Sequence, residues 1–225
     1  MKRILVTGDS RGLGKSICKT LHEHNSVVGI SRTNPHEGWE HHDINLLENK
    51  GVELAKNLLS DIDILIHNAA IPSNNLCVVE SMKKYRRVFE LNTFVPIELT
   101  QHWIKNRIKY NKPGHVIFIS SICTKKHFKG LSAYAASKSA INTYAKTVAV
   151  EFSKKGIRSN IILPGYMSTD MTSNMSAQHI STITNRTPMK RLSNVEEVSS
   201  VVEYIVNNPG FLNGSELTID GGYTL

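Results

Sequence analysis

The sequence predicts a single-domain α/β fold over residues 1–225, a doubly wound parallel sheet with helices on both faces. Three observations predict it. Short apolar, β-branched runs alternate with segments of helical periodicity, as strands buried on both faces require. A glycine-rich segment, TGDSRGLG (7–14), joins the first such run to the first helical pattern, the place where a strand–loop–helix unit holds an anionic group. No repeat, linker or change of composition interrupts the 225 residues, a length that one sizeable core accommodates.

In chain order, Lys2 to Thr7 reads as the first strand and Gly12 to His22 as a helix with Leu13, Ile17 and Leu21 on one stripe. The glycines between them fit one phosphate-loop pattern of three. A G-x-x-x-x-G-K-[ST] loop fails because its first glycine falls on Asp9, and G-x-G-x-x-G from Gly12 and Gly14 fails at Ile17. T-G-x-x-x-G-x-G matches through Thr7, Gly8, Gly12 and Gly14. Ser26 to Ile30 is the second strand, ending in Ser31-Arg32-Thr33. No acidic residue stands there to bind a ribose 2′-hydroxyl. Arg32, assisted by Arg11, instead suits a 2′-phosphate, so NADP(H) is expected over NAD(H). Residues 33–42 read as a short loop, Leu46 to Leu59 as a helix, and DIDILIHNAA (61–70) as a strand and its exit. Lys83 to Tyr110 reads as a long helix interrupted near Asn92 and Pro96. Proline has no N–H, so the Asn92 carbonyl is left free to hold a water leading toward Lys138.

His115 to Ser121 is the next buried strand, and Tyr134, Lys138, Ile141, Ala145, Val148 and Phe152 then mark one face of a helix. Ser132 is its expected N-cap and Gly156 its stop. Tyr134 and Lys138 are neighbours one turn apart. An ammonium beside a phenol favours the phenolate, and the lowered phenol then exchanges a proton with an alcohol or carbonyl oxygen. Ser121, at the end of its strand, brings a hydroxyl to the same oxygen. A buried helix with a snorkelling lysine explains Y-x-x-x-K alone; the serine and the N-terminal glycine loop together favour chemistry. Ile157 to Leu163 is a strand followed by PGYMSTDM, the polar stretch to Arg191 is expected to contain a lid, Val195 to Val206 is a helix and Glu216 to Ile219 the last strand.

Together these motifs resemble the short-chain dehydrogenase/reductase family over essentially the whole chain. The resemblance implies hydride transfer between a nicotinamide and a carbonyl or alcohol carbon, with Ser121, Tyr134, Lys138 and Asn92 at the catalytic positions. It implies that Gly8, Ser10, Arg11, Gly12, Leu13 and Gly14 cradle the pyrophosphate, and that Ser31, Arg32, Asp43 and Ile44 flank the adenosine. Asn68, Ala69 and Ala70 match the family's N-N-A-G only in part, with His67 and Ala70 replacing its first and last residues. Pro164, Gly165, Met167 and Thr169 match the P-G-x-x-x-T segment on the nicotinamide carboxamide, and Tyr134 and Lys138 also touch the cofactor. The chain is most similar to 3-oxoacyl-[acyl-carrier-protein] reductases, with sugar, steroid or small-alcohol dehydrogenases and a non-catalytic cofactor sensor as alternatives. Enoyl reductases space Tyr and Lys wider than here. Relatives assemble as tetramers or dimers through the two long helices, here around 83–110 and 133–155.

Composition agrees with this reading. Hydrophobic residues make up 40% and charged ones 20%, an ordinary globule. No apolar run is long enough to span a membrane. MKRILVTG reads as a first strand rather than a leader, so the chain is expected to stay in the cytoplasm. Cys18, Cys77 and Cys123 are odd in number and far apart, as reduced thiols are; Cys123 reads as pocket wall. Ten scattered histidines make no metal motif. The net charge of +8 comes without a nucleic-acid module. The basic loop Lys125, Lys126, His127, Lys129 reads either as a solvated loop or, with Lys155, as a surface for an acidic carrier, so the expected substrate is a small-molecule or carrier-bound carbonyl.

Overall fold

A computed structural model of the chain describes residues 1–169 and 175–225. Its centre is a seven-stranded parallel sheet: β1 (Arg3–Thr7), β2 (Ser26–Ser31), β3 (Glu40–Asp43), β4 (Ile64–His67), β5 (Gly114–Ile119), β6 (Ile157–Pro164) and β7 (Glu216–Ile219), in the spatial order β3-β2-β1-β4-β5-β6-β7. Alternate residues of each strand serve opposite faces, because side chains in a strand point up and down in turn. Leu5, Leu65, Val116, Phe118, Ile161 and Leu163 pack beneath α2 (Asn49–Asn57), α4 (Val95–Lys109) and α5 (Ser132–Phe152). Ile4, Val6, Ile64, Ile66, Ile117 and Ile162 pack beneath α1 (Gly12–His22) and α7 (Val195–Asn207). Two cores sandwich one sheet, and the strands have to be apolar on both sides.

The registers bring the strand ends to one edge. Thr7 pairs with Ile30, Ser31 with Asp43, His67 with Phe118, Ile119 with Ile162, and Pro164 with Ile219. The order reverses between β1 and β4, leaving a crevice at their carboxyl ends where ligands of open parallel sheets sit.

Four sequence expectations change. Residues 40–42 are not loop but form, with Asp43, the edge strand β3; EHHD carries no apolar periodicity, and the strand is held instead by its ladder to β2 and by Arg3 on Glu40 at 2.8 Å. The second helix starts at Asn49, with Leu46 and Leu59 as buried flanks. The polar stretch before Arg191 contains a helix, α6 (Ala177–Arg186), capped by Ser176 on the His179 N–H at 3.2 Å. The part of the expected lid at 170–174 lies outside the described residues. Leu131, not Ser132, caps α5; Ser132 is its first residue, bonded to the Tyr85 phenol at 2.7 Å. Gly156 does stop the segment, in the left-handed conformation (φ 72°).

Candidate active site

The glycine loop is compressed against the end of β4. Gly8 has φ +76° and donates to the Ile30 carbonyl at 2.7 Å. A Cβ on Gly14 would lie 2.0 Å from the Gly8 carbonyl oxygen, so only glycine lets α1 begin this close to the loop. Thr7 and Asn68 stitch β1 to β4 across the crevice. The Thr7 hydroxyl accepts the N–H groups of Asn68 and Ala69, each at 3.0 Å, and the Asn68 amide donates to the carbonyls of Thr7 (3.0 Å) and Gly8 (3.1 Å). The first turn of α1 has no side-chain cap and no acidic residue, leaving its N–H groups to an anion. Arg11 and Arg32 are exposed and pair with no carboxylate among the described residues. Ile44 is buried and donates its N–H to the Ser31 carbonyl at 2.7 Å. Close backbone approach, a bare helix start and two unpaired arginines fit a phosphorylated dinucleotide.

Sequence reasoning missed a carboxylate beneath this loop. Asp9 is fully buried and accepts from the Trp39 indole (2.9 Å) and from His41 Nδ1 (2.7 Å). The signal was present in Gly29, where a Cβ would fall 1.9 Å from Asp9 Oδ2: a glycine inside a buried strand marks a close neighbour.

On the other side of the crevice, Ser121 is extended (φ −165°, ψ 155°) at the head of a 3₁₀ turn, Ile122–Thr124, and accepts the Cys123 N–H at 3.3 Å. Its hydroxyl faces the Tyr134 phenol and draws that phenol's value down. Lys138, buried, donates to the Ile119 carbonyl at 2.7 Å and lies 5.8 Å from the Tyr134 ring. This corrects the expected electrostatics. Burial, then Cys123, pushes the Tyr134 phenol well above its ordinary value, and the Ser121 hydroxyl opposes them. Burial also lowers the Lys138 ammonium to about 8. Desolvation outweighs the lysine's pull because the lysine points at a backbone carbonyl. Burial likewise raises the Cys123 thiol, so the thiol forms wall.

Asn92 sits in a π-helical turn, Glu90–Phe94, between α3 (Met82–Phe89) and α4; the Val95 N–H reaches back to the Glu90 carbonyl. Its side chain accepts the Ile71 N–H at 2.8 Å and donates to the Ile71 carbonyl at 3.0 Å and to Ser137 Oγ at 3.1 Å. Asn92 thus clamps the loop after β4 to the helix carrying Tyr134 and Lys138. The crevice joining Asn92, His67 and Lys138 is too narrow for water as it stands, so the expected relay water requires it to widen. His67 bonds Thr100 Oγ1 at 2.9 Å and stacks on Phe118 at 5.0 Å; burial, then Lys138, lowers it to about 3 and keeps the ring neutral.

Gly165 presses on Asp220, where a Cβ would meet Cα at 2.8 Å, and donates to the Ile219 carbonyl at 2.8 Å. Met167 bridges to Ser193, and Thr169 is half-buried. Tyr166 packs edge-on against Tyr223 at 5.3 Å beside a cavity of about 70 Å³ also lined by Thr187, Met189 and Arg191. That cavity, the roomier one, does not include Ser121 or Tyr134. The basic loop is half committed: Lys125 donates to Thr218 Oγ1 (2.8 Å) and Lys126 to the Tyr223 carbonyl (2.9 Å), leaving His127 and Lys129 exposed. Among the described residues no helix is long and apolar enough to cross a membrane.

Comparison with known proteins gives consistent matches. A family model described as enoyl-(acyl carrier protein) reductase matches residues 47–224. The 3-oxoacyl-[acyl-carrier-protein] reductase FabG of Buchnera aphidicola subsp. Baizongia pistaciae is 30% identical, over 98% of this chain and 96% of its own. A 4-hydroxyisoleucine dehydrogenase mutant complexed with NADH and succinate superposes with a TM-score of 0.93 at 25% identity, covering 99% of this chain and 98% of that one. A putative 2-deoxy-D-gluconate 3-dehydrogenase of Agrobacterium tumefaciens with bound NADP gives 0.91 at 25% identity, covering 99% and 96%.

Proposed function

Because the chain belongs to the short-chain dehydrogenase/reductase family, oxidoreductases acting between CH–OH and C=O groups, we propose that it is an NADP(H)-dependent reductase of 3-oxoacyl groups on an acidic carrier protein. The observation that carries the reading is the Ser121 hydroxyl facing the buried Tyr134 phenol, with Lys138 buried one turn on. A nicotinamide, when bound, supplies the hydride. Gly8, Gly12 and Gly14, with backbone from Ser10 and Leu13, cradle its pyrophosphate. Arg11 and Arg32 take the 2′-phosphate, with Ser31, Asp43 and Ile44 on the adenosine side. Asn68, Ala69 and Ala70 line its path, and Pro164, Gly165, Met167 and Thr169 hold the carboxamide end.

The Ser121 hydroxyl donates to the substrate carbonyl oxygen, and the Tyr134 phenol gives that oxygen its proton. A buried phenol raised above its usual value starts protonated, as reduction requires. Lys138 holds the nicotinamide ribose and offsets the rise in the Tyr134 phenol as it ionises, while Asn92 fixes the helix bearing both. His127, Lys129 and Lys155, all exposed, attract the carrier. Exposed Phe94, Ile108 and Val150 on the π turn, α4 and α5 support assembly of the protomer into dimers or tetramers.

The test is NADPH oxidation with an acetoacetyl thioester, simple ketones and keto-sugars, with NADH and Tyr134→Phe arms. Turnover of the thioester that Tyr134→Phe abolishes supports the reading. Turnover of a keto-sugar alone would replace the substrate but keep the reaction, and near-normal Tyr134→Phe turnover would refute the site. Arg32→Ala should weaken NADPH binding about tenfold or more and leave NADH unchanged.

A further inference from the structure

The hydride chemistry has no use for Asp9, yet its surroundings are built around it. Its Oδ2 takes both the Trp39 indole and His41 Nδ1, at 2.9 and 2.7 Å, while Oδ1 is buried without a partner. A carboxylate excluded from water is held in place by the donors that reach it, since losing either leaves it uncompensated. The His41 side chain, 2% exposed, carries the row outward: with hydrogen on both ring nitrogens it donates through Nδ1 to Asp9 and through Nε2 to Asp43 Oδ1, at 3.1 Å. Asp43, at the end of β3, has a side chain 69% exposed, and its Oδ2 makes no hydrogen bond among the described residues. The row therefore runs from an interior anchor, through a ring that cannot turn, to a carboxylate with one oxygen used and one offered.

We infer that His41 is a positioning residue for cofactor recognition, holding Asp43 so that its free oxygen accepts the exocyclic amine of an adenine ring. The inference rests on the reading of Asp43 as the adenosine-side residue of a nicotinamide dinucleotide site. A lone aspartate at a strand end loses side-chain freedom when it engages a ligand; here His41 has removed that freedom beforehand. A fixed acceptor also discriminates. It attracts the amine of adenine and repels the carbonyl oxygen that hypoxanthine carries at the same place.

The experiment measures dissociation constants of the intact protein for NADPH and for its hypoxanthine analogue, by nicotinamide fluorescence. The wild type should prefer NADPH by about tenfold, the scale of one hydrogen bond to a charged group. Asp43→Ala should erase the preference. His41→Ala should cut it to about twofold or less while changing analogue affinity little, because the phosphate and nicotinamide contacts remain. His41→Gln fills the same space without bridging both carboxylates and should behave alike, which covers the case in which exposing Asp9 unfolds His41→Ala. A global loss of fold would weaken both ligands equally and so differs from a lost preference. If both His41 variants keep the wild-type preference while Asp43→Ala loses it, His41 positions nothing and the adenosine reading stands. If the wild type binds both ligands equally, the inference fails with NADP(H) binding intact. If it binds neither, the proposed function falls as well.

Discussion

Lys138 is 3% exposed and carries an ammonium whose value burial has lowered from 10.5 to about 8. The sign of the linkage follows: the unfolded chain holds this proton more tightly, so below about pH 8 the folded state carries the full cost of a buried charge. That cost fades as pH rises from about 8 toward 10.5. Lys138→Met should therefore stabilise the protein at pH 7 by roughly 1–3 kcal/mol, with the gain shrinking above pH 8, as urea titrations across pH will measure. The same variant should lose turnover. Tyr134→Phe should lose turnover too, but without a change in stability that follows pH, since its phenol stays protonated on both sides of neutrality. The Tyr134–Lys138 neighbourhood was legible because two residues four apart on a helix must share a face. The ammonium's direction was not, since the Ile119 carbonyl it meets is 19 residues away.

At the scale of elements, the π turn matters more than its five residues suggest. It turns the Asn92 side chain toward the Ile71 backbone and Ser137 rather than along the helix. Asn92→Ala leaves the Ile71 N–H and carbonyl unpaired and should cost roughly 2–4 kcal/mol, lowering Tm by about 5–15 °C. Gly14→Ala tests the other side of the crevice. Its methyl needs the space of the Gly8 carbonyl, so NADPH binding should fall below detection while the melting profile stays cooperative. Legibility divides along the same line. The interruption near Pro96 is local chemistry and could be read; the π geometry and the partners of Asn92 are tertiary. β1, β2, β4, β5 and β6 announced themselves as apolar runs. β3 is Glu-His-His-Asp, and α6 offers only Ile180 and Ile183 as large apolar residues, too short a pattern for such readings to rest on. Asp9 occupies a variable slot of a glycine motif and finds its partners 30 and 32 residues on, which no spacing rule anticipates.

The molecule as a whole carries a net charge of +8, and two lysines of its basic loop are tied to the C-terminal segment. On the proposed reading, an acidic carrier would be drawn to the crevice by long-range attraction. KM for a carrier-bound substrate should rise severalfold between low and physiological salt, while KM for a short thioester mimic stays flat. A parallel sheet also ends in two open margins. The one at β3 bears two acidic and two imidazole side chains, Glu40 pairing with His42 at 2.8 Å and with Arg3. A foreign strand docking there would have to strip water from those groups. The strand least visible in the sequence is thus also a barrier to aggregation, and its lack of apolar residues is what makes it one. Replacing Glu40 and His42 together by valine should leave the fold in place yet make the protein scatter light on gentle heating, long before the wild type does.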